Sequence, residues 1–183
     1  MAAGDGLISM TPTSIAHSGT SASINADGGV DFTAVTSLSL NGVFTSDYDN
    51  YLVVVTSIGT AAAQSGFMQW RASGSDATGA NYTTQRITAT GSVYPAARFS
   101  SETSARVGDI EDASPGGSEH WQVYGPYLAQ PTAYRTVNVS SLFGAVLRDF
   151  AGTHSLSTAY DGFTILASGA SLSGNVHVFG YEE

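Results

Sequence analysis

The apolar run at residues 51–55, YLVVV, constrains the fold more than any other stretch of the chain. Asp47, Asp49 and Asn50 precede it, and their short polar side chains favour a turn by bonding to nearby backbone. The run is too short for a helix and rich in β-branched residues, which predicts a strand. Its alternating faces carry Tyr51, Val53 and Val55 on one side and Leu52, Val54 and Ile58 on the other. Because both faces are apolar, we expect a central strand covered on one face by a second sheet and on the other by an N-terminal arm or a neighbouring subunit.

Polar and apolar residues alternate through most of the remaining segments, including residues 30–34, 37–40, 67–72 and 119–125. No segment keeps a 3.6-residue apolar period, and clusters of Gly, Ser and Asp separate the alternating runs. This pattern predicts an all-β fold, an antiparallel β-sandwich that is jelly-roll-like, over residues 30–183. Asn41-Gly42 readily adopts positive φ, so it predicts a tight hairpin before Val43 and Phe44.

Residues 1–29 differ from the rest because their apolar side chains are sparse. The segment consists mostly of Gly, Ser, Thr and Ala, with isolated Ile and Leu residues. Two interpretations remain open for this extended N-terminal arm: a partly ordered tail, or a docking arm that adds a strand to a partner's sheet.

The charge of the chain argues against a nucleic-acid partner. Its 183 residues carry a net charge of −9, with six Arg and no Lys, so few cations could neutralise phosphates. No run of about 18 apolar residues is present, which argues against membrane insertion, and the first residues lack the pattern of a secretory signal. The absence of Cys removes disulfides, thiolate zinc sites and cysteine nucleophiles.

The four histidines do not form a metal-binding or catalytic pattern. His17, His120, His154 and His177 are far apart in the sequence, and no two have the spacing that brings ligands to one face of a strand or helix. We expect packed or surface imidazoles. The chain also lacks a Gly-x-Ser-x-Gly elbow, and it has no Lys for a phosphate-binding loop.

The most acidic part of the chain is residues 102–118, which contain Asp109, Glu111 and Asp112. Carboxylates of this kind bind calcium when several converge, but the EF-hand spacing is missing, and a solvated acidic loop is the favoured interpretation. A glycosidase pair would need two carboxyls about 5–10 Å apart across a cleft, which the sequence cannot establish. The sequence therefore assigns no catalytic, cofactor-binding or metal-binding residue.

Aromatic residues are the more informative candidates, because Tyr and Trp combine a large apolar surface with a polar tip. Trp70 and Trp121 lie on alternating segments and are predicted to be core residues. Five tyrosines are predicted at loop or strand margins, where they could serve an interface: Tyr82, Tyr94, Tyr127, Tyr134 and Tyr160. In addition, SDYDNYLVVV near residue 50 is echoed by TAYDGFTILA from Thr158, either as equivalent corners of two sheets or by chance.

Five segments carry a resemblance to a known family, in this order: YDNYLVVV, RASGSDATGANY, YGPYLAQPTAYRTVN, THSLSTAYDGFTI and GNVHVFGY. Together they resemble a β-sandwich module of tailed-bacteriophage virion proteins of the tail fibre or minor tail type. The resemblance covers about residues 37–181. It implies a non-enzymatic structural protein on the particle surface, assembled in the host cytoplasm, commonly a homotrimer, that binds a host-surface glycan or other virion proteins. It transfers no catalytic residue.

This chain departs from the family in having no shaft repeats, coiled-coil heptads or collagen-like triplets before the module. That difference raises an alternative role as a capsid decoration or cement protein that stabilises the head, held by the N-terminal arm. A second alternative is a carbohydrate-binding or carbohydrate-active domain.

Overall fold

The computed structural model describes residues 6–59, 64–110, 117–140 and 146–182, and all regular secondary structure in these residues is β-strand. The strands are β1 (Leu7–Met10), β2 (Ser14–Ile24), β3 (Val30–Asn41), β4 (Asn50–Gly59), β5 (Gln64–Ala72), β6 (Ser75–Asp76), β7 (Tyr82–Ala89), β8 (Ala96–Glu102), β9 (Ala105–Ile110), β10 (Gly117–Tyr124), β11 (Thr132–Ser140), β12 (Val146–His154), β13 (Gly162–Ala167) and β14 (Leu172–Tyr181).

Antiparallel pairing joins eleven strands in the order β6-β5-β13-β3-β14-β4-β10-β11-β12-β7-β8, while β9, β2 and β1 pair with β5, β3 and β14. The sheet curls, so that strands from its two ends face each other without sharing a hydrogen-bond ladder. Phe163 of β13 lies with its ring centroid 5.6 Å from that of Trp121 of β10. This architecture confirms the predicted all-β, antiparallel sandwich-like fold.

Strand β4 occupies the centre of the path, paired with β10 on one edge and β14 on the other. Tyr51, Val53 and Val55 are buried in the core, as the alternation predicts. Leu52 and Val54 project from the opposite face and are only half-buried, and the side chain of Ile58 lies outside the described residues. The second apolar face of β4 is therefore partly exposed on the outer surface of the sheet.

The N-terminal segment pairs with the chain's own sheet over most of its described length. Residues 7–10 form β1 along β14, and β2 runs beside β3 from Ser14↔Asn41 to Ile24↔Val30. Met10 and Ile15 pack against the core, whereas most other β2 side chains are exposed. Whether residues 1–29 also reach a partner, and whether they form a unit separate from residues 30–183, stay predictions.

The hairpin predicted at Asn41-Gly42 is wrong, although Gly42 does adopt a positive φ of 69°. Strand β3 ends at Asn41, and its ladder partners are β2, β13 and β14 rather than the strand that follows it. The chain turns into the core after Gly42, where Val43 and Phe44 are buried and the Phe44 amide donates to the Asp161 carbonyl at 3.1 Å. Burial of two large apolar side chains outweighs the local preference for a hairpin.

The repeated Tyr-Asp segments begin strands in the two facing parts of the sheet. Strand β4 begins at Asn50 and β13 at Gly162, in each case directly before a buried aromatic residue, Tyr51 or Phe163. Phe44 packs between these two rings, with centroid distances of 4.8 and 5.7 Å. Phe44 therefore links the two corresponding strand starts within one core.

Strand β11 turns its polar side chains inward and its valines outward. The inward residues Tyr134 and Thr136 donate their hydroxyls to the backbone carbonyls of Arg106 and Val107 on β9, and the Asn138 amide donates to the Asp109 carbonyl at 3.1 Å. These carbonyls belong to β9, which among the described strands pairs only with β5, and they would otherwise be buried without partners. The polar face of β11 thus replaces a missing neighbouring strand for β9.

Candidate functional site

The structure does not bring the four histidines together. His154 is buried, with Nδ1 2.9 Å from the Tyr160 hydroxyl, and burial lowers its pKa. His177 stacks on Phe179, while His17 and His120 are exposed. Within the described part of the chain, no three His, Asp or Glu side chains are placed to hold a metal ion together.

Asp109 lies in β9 rather than in a solvated acidic loop, so the loop prediction is wrong for this residue. Its carboxylate is buried and forms an ion pair with the Arg148 guanidinium of β12. A buried carboxylate needs a charged partner of this kind, and no local pattern in the sequence indicates that β12 packs against β9. Glu111 and Asp112 lie outside the described residues, so the calcium alternative stays untested.

Glu119 is a buried carboxyl that the sequence analysis did not single out. Its side chain accepts hydrogen bonds from Trp121 Nε1 at 2.9 Å and Asn138 Nδ2 at 3.4 Å, and the residue is only 3% exposed. Burial raises its pKa to about 8, so the group is mostly neutral near pH 7. A raised pKa suits a general acid, but a buried carboxyl packed against Gly108 offers no room for a substrate.

The tyrosines divide into buried and exposed groups. Tyr82, Tyr134 and Tyr160 are buried in the core, so the prediction that they could serve an interface is wrong for these three. Each satisfies its hydroxyl inside the core, as Tyr82 does by accepting from the Trp70 amide and donating to the Ala77 carbonyl. Tyr94 and Tyr127 are exposed, and Trp70 and Trp121 are buried as predicted.

The outer face of β10, β11, β12, β7 and β8 carries an open depression of about 440 Å³, which we call the outer groove. Its lining residues are Thr83, Gln85, Arg98, Tyr124, Ala133, Tyr134, Arg135, Ala151, Gly152 and Thr153. Register places eight of them in two adjacent rows across the strands, and the pair Tyr134 and Gly152 lies between these rows, with Tyr134 turned toward the core. One row runs Tyr124–Ala133–Thr153–Thr83, and the next runs Arg135–Ala151–Gln85–Arg98.

Differences in side-chain size produce the outer groove. Ala133, Ala151 and Gly152 leave a low floor in the middle of the sheet, whereas Tyr124 and Arg98 rise at opposite sides of it. Because hydrogen-bonded strands hold the floor, its shape is fixed before any ligand arrives. The volume lies within the range of small-molecule sites.

Polar contacts orient the side chains of the outer groove. Tyr124 is 42% exposed, and its hydroxyl donates to Gln122 Oε1 at 3.0 Å, which leaves the ring accessible. Arg135 forms a two-point ion pair with Asp149, at 3.1 and 2.6 Å. Among the residues that the structure describes, Arg98 forms no ion pair, and no Asp or Glu lines the groove.

The sequence held a partial signal for this groove. Alternation in residues 119–125 places Trp121 and Val123 on one face of the strand and Tyr124 on the opposite face with His120 and Gln122. Nothing local indicates that Arg98 and Arg135 share that surface, because their relation depends on the pairing of β8, β7, β12 and β11.

The same face also carries large exposed apolar side chains on β11, β12 and β7, which we call the outer strip. They lie toward the end of these strands that is farther from Tyr124. The outer strip consists of Ile87, Val137, Val139 and Leu147, each between 40% and 59% exposed. Val139 lies opposite Leu147, and Asp149 lies between Val137 and Ile87 in the ladder. The outer strip is contiguous across three strands.

No helix that could span a membrane occurs in residues 6–59, 64–110, 117–140 and 146–182. No protein-family model matches the chain, and a search of curated proteins finds no match to it.

Proposed function

We propose that the chain is a non-enzymatic structural protein of a tailed-bacteriophage particle, exposed on the virion surface, that binds a host-surface glycan through the outer groove. The virion part of this proposal rests on the ordered sequence segments that resemble tail fibre and minor tail modules. The glycan part rests on one observation, an accessible tyrosine ring beside a preformed groove that is edged by arginines and hydroxyl groups.

The chemistry of the outer groove suits a sugar better than an apolar ligand. A tyrosine ring gives a flat apolar surface on which the C–H face of a sugar ring can pack. Gln85, Thr83 and Thr153 supply donors and acceptors for hydroxyl groups along the opposite side. An apolar ligand would need deeper cover than the open floor of Ala133 and Ala151 provides.

A homotrimer belongs to the same proposal, with copies of the chain meeting at the outer strip. The strip borders the outer groove on the same face, because Val137 and Ile87 lie two residues along their strands from Arg135 and Gln85, while Val139 and Leu147 lie farther from the groove. Burying four large side chains that are about half exposed would favour association. Light scattering on wild type and on a Val139→Ser, Leu147→Ser double variant tests this part, with a monomeric variant as the expected result.

The capsid decoration alternative keeps the virion role but moves it to the head. The long edge of β2 that faces away from β3 favours it, because β2 pairs only with β3 within the described ranges and such an edge can add a strand from a neighbouring protein. Negative-stain images of particles labelled with antibody to this chain distinguish head from tail. The carbohydrate-active alternative predicts turnover of host polysaccharide during incubation, which our proposal does not.

A glycan array with matched tyrosine variants tests the binding function. We expect wild type to bind a subset of host-surface glycans and Tyr124→Ala to lose that binding. Tyr127→Ala is the control, since Tyr127 is 39% exposed but lies outside the outer groove. Equal binding by all three proteins would show that the groove is not the binding site.

A further inference from the structure

We infer that the outer groove is specific for a carboxylated saccharide, whose carboxylate is bound by Arg98 while a sugar ring packs on Tyr124. This inference rests on the proposed glycan-binding function and adds the chemical class of the ligand. It follows from the charge of the groove, the geometry of its two rows and the position of Arg98.

The charge of the outer groove is opposite to that of the whole chain. The chain has a net charge of −9, yet two of its six arginines lie among the ten lining residues and no carboxylate does. Asp149 neutralises Arg135, so the positive charge that remains for a ligand is that of Arg98. One unpaired cation in the groove fits a ligand that carries an isolated negative charge.

The guanidinium of arginine matches a carboxylate in shape as well as in charge. Its planar fork can donate two parallel hydrogen bonds to the two carboxylate oxygens, which fixes the orientation of the ligand. Arg98 lies on β8, the last strand in the order of paired strands. The Arg98 side chain is exposed, and Arg98 pairs with Gln85 in the ladder. It is therefore free to turn over the groove without breaking an internal ion pair.

The spacing of the strands sets the size of the ligand. Tyr124 on β10 and Arg98 on β8 are separated by β11, β12 and β7, and they lie in adjacent rows, so four strand spacings of about 4.8 Å and an offset of about 7 Å along the strands place their backbones about 20 Å apart on a flat sheet. Both side chains line the groove between these strands. This span is longer than one sugar ring and fits a short oligosaccharide, with the aromatic contact at one end and the charged contact at the other.

Polyanions are a poorer fit to the same surface. A nucleic acid or a heavily sulfated glycan needs several cations along its length, and the net charge of −9 would repel it. Neutral glycans would use Tyr124 but leave Arg98 without a partner. A ligand with one carboxylate uses both ends of the groove.

The test is a titration of the full chain with three probes: a short oligomer of hexuronic acid, the same oligomer after reduction of its carboxyl groups, and a sulfated oligosaccharide of equal length. A glycan array that includes sialylated, uronic-acid, sulfated and neutral structures widens the search. We expect binding only to carboxylated structures, with about tenfold to a hundredfold weaker affinity for Arg98→Gln and a smaller loss for Arg98→Lys, which keeps the charge but not the fork.

A matched control separates a specific contact from general electrostatics. Arg98→Gln changes the net charge from −9 to −10, and so does Ser21→Asp on the exposed strand β2, outside the groove. We expect Ser21→Asp to bind like wild type. Equal losses in both variants would overturn the assignment of Arg98, and circular dichroism of each variant confirms that it is folded.

The outcomes distinguish this inference from the proposed function. Binding to neutral glycans, with Tyr124→Ala impaired and Arg98→Gln unchanged, overturns the carboxylate specificity and leaves the glycan-binding function intact. Equal affinity for sulfated and carboxylated probes also overturns it. Binding to no glycan at all refutes the proposed glycan-binding function and this inference together.

Discussion

The buried carboxyl of Glu119 should make this protein less stable as the pH rises. Burial raises its pKa from the ordinary 4.5 to about 8 in the folded chain. Between these two values the unfolded chain has lost the proton while the folded chain keeps it. Because the unfolded state then binds fewer protons, the free energy of unfolding falls with increasing pH across this window and levels off above it.

The size of the effect follows from the two pKa values. At about 1.4 kcal/mol per pKa unit, the contribution of Glu119 should fall by about 4 kcal/mol between about pH 5 and about pH 9. That is a large share of the total stability of a typical domain. Glu119→Gln should remove this dependence, since the amide does not ionise in this range and its oxygen can still accept from Trp121 Nε1.

The assay is urea unfolding at about pH 5, 7 and 9, followed by tryptophan fluorescence, on wild type and Glu119→Gln. We expect the variant to gain stability relative to wild type as the pH rises, because only wild type must ionise a buried carboxyl there. Glu102→Gln, at a partly exposed carboxyl on β8, is the matched control and should follow wild type. Parallel pH profiles for wild type and Glu119→Gln would refute the reasoning.

Three further predictions concern the interior. Thr136→Val should lower the free energy of unfolding by about 1–3 kcal/mol, because it leaves a buried β9 carbonyl without its donor. Its control, Val137→Thr on the exposed side of the same strand, should change the free energy of unfolding by less than about 0.5 kcal/mol. Gly152→Ala should lower the free energy of unfolding by about 1–3 kcal/mol, since the added Cβ would lie 2.5 Å from the buried Tyr134 ring and from the Thr83 carbonyl oxygen. In the control Gly169→Ala the added Cβ meets no atom within 4 Å, so stability should not change. Chemical denaturation measures all four. The imidazole of His154 should titrate below its ordinary pKa of 6.5 in an NMR titration, because burial disfavours its charged form, and an unshifted value would contradict that burial.

Alternation along the chain was enough to predict the class of fold. The side-chain period of two is a local property, so it identified most strand segments after Val30, although not β1, β2 or β9, and it placed Tyr51, Val53 and Val55 on one face and the two tryptophans in the core without knowledge of any partner. The central position of β4 followed from the same local pattern, because a strand that is apolar on both faces is disfavoured at the edge of a sheet.

Local chemistry failed where a distant strand changed the surroundings. Asp109 has the sequence context of an acidic loop, but Arg148 from β12 neutralises it in the interior. Polar and apolar residues alternate along β11, yet its polar face is the buried one. The polar side chains donate hydrogen bonds to buried carbonyls of β9, and two valines in their place could not do so. Neither outcome is encoded within a few residues of the position concerned.

The outer groove belongs wholly to the tertiary structure. Its residues come from five strands spread between Thr83 and Thr153, and they become neighbours only through the register of four antiparallel ladders. A shift of one residue in any ladder would turn Arg98 or Tyr124 toward the core. The sequence by itself determined that this chain forms strands with alternating faces, since that information is local, whereas the pairing of distant strands decided which face of a strand such as β11 is buried and which side chains share a surface.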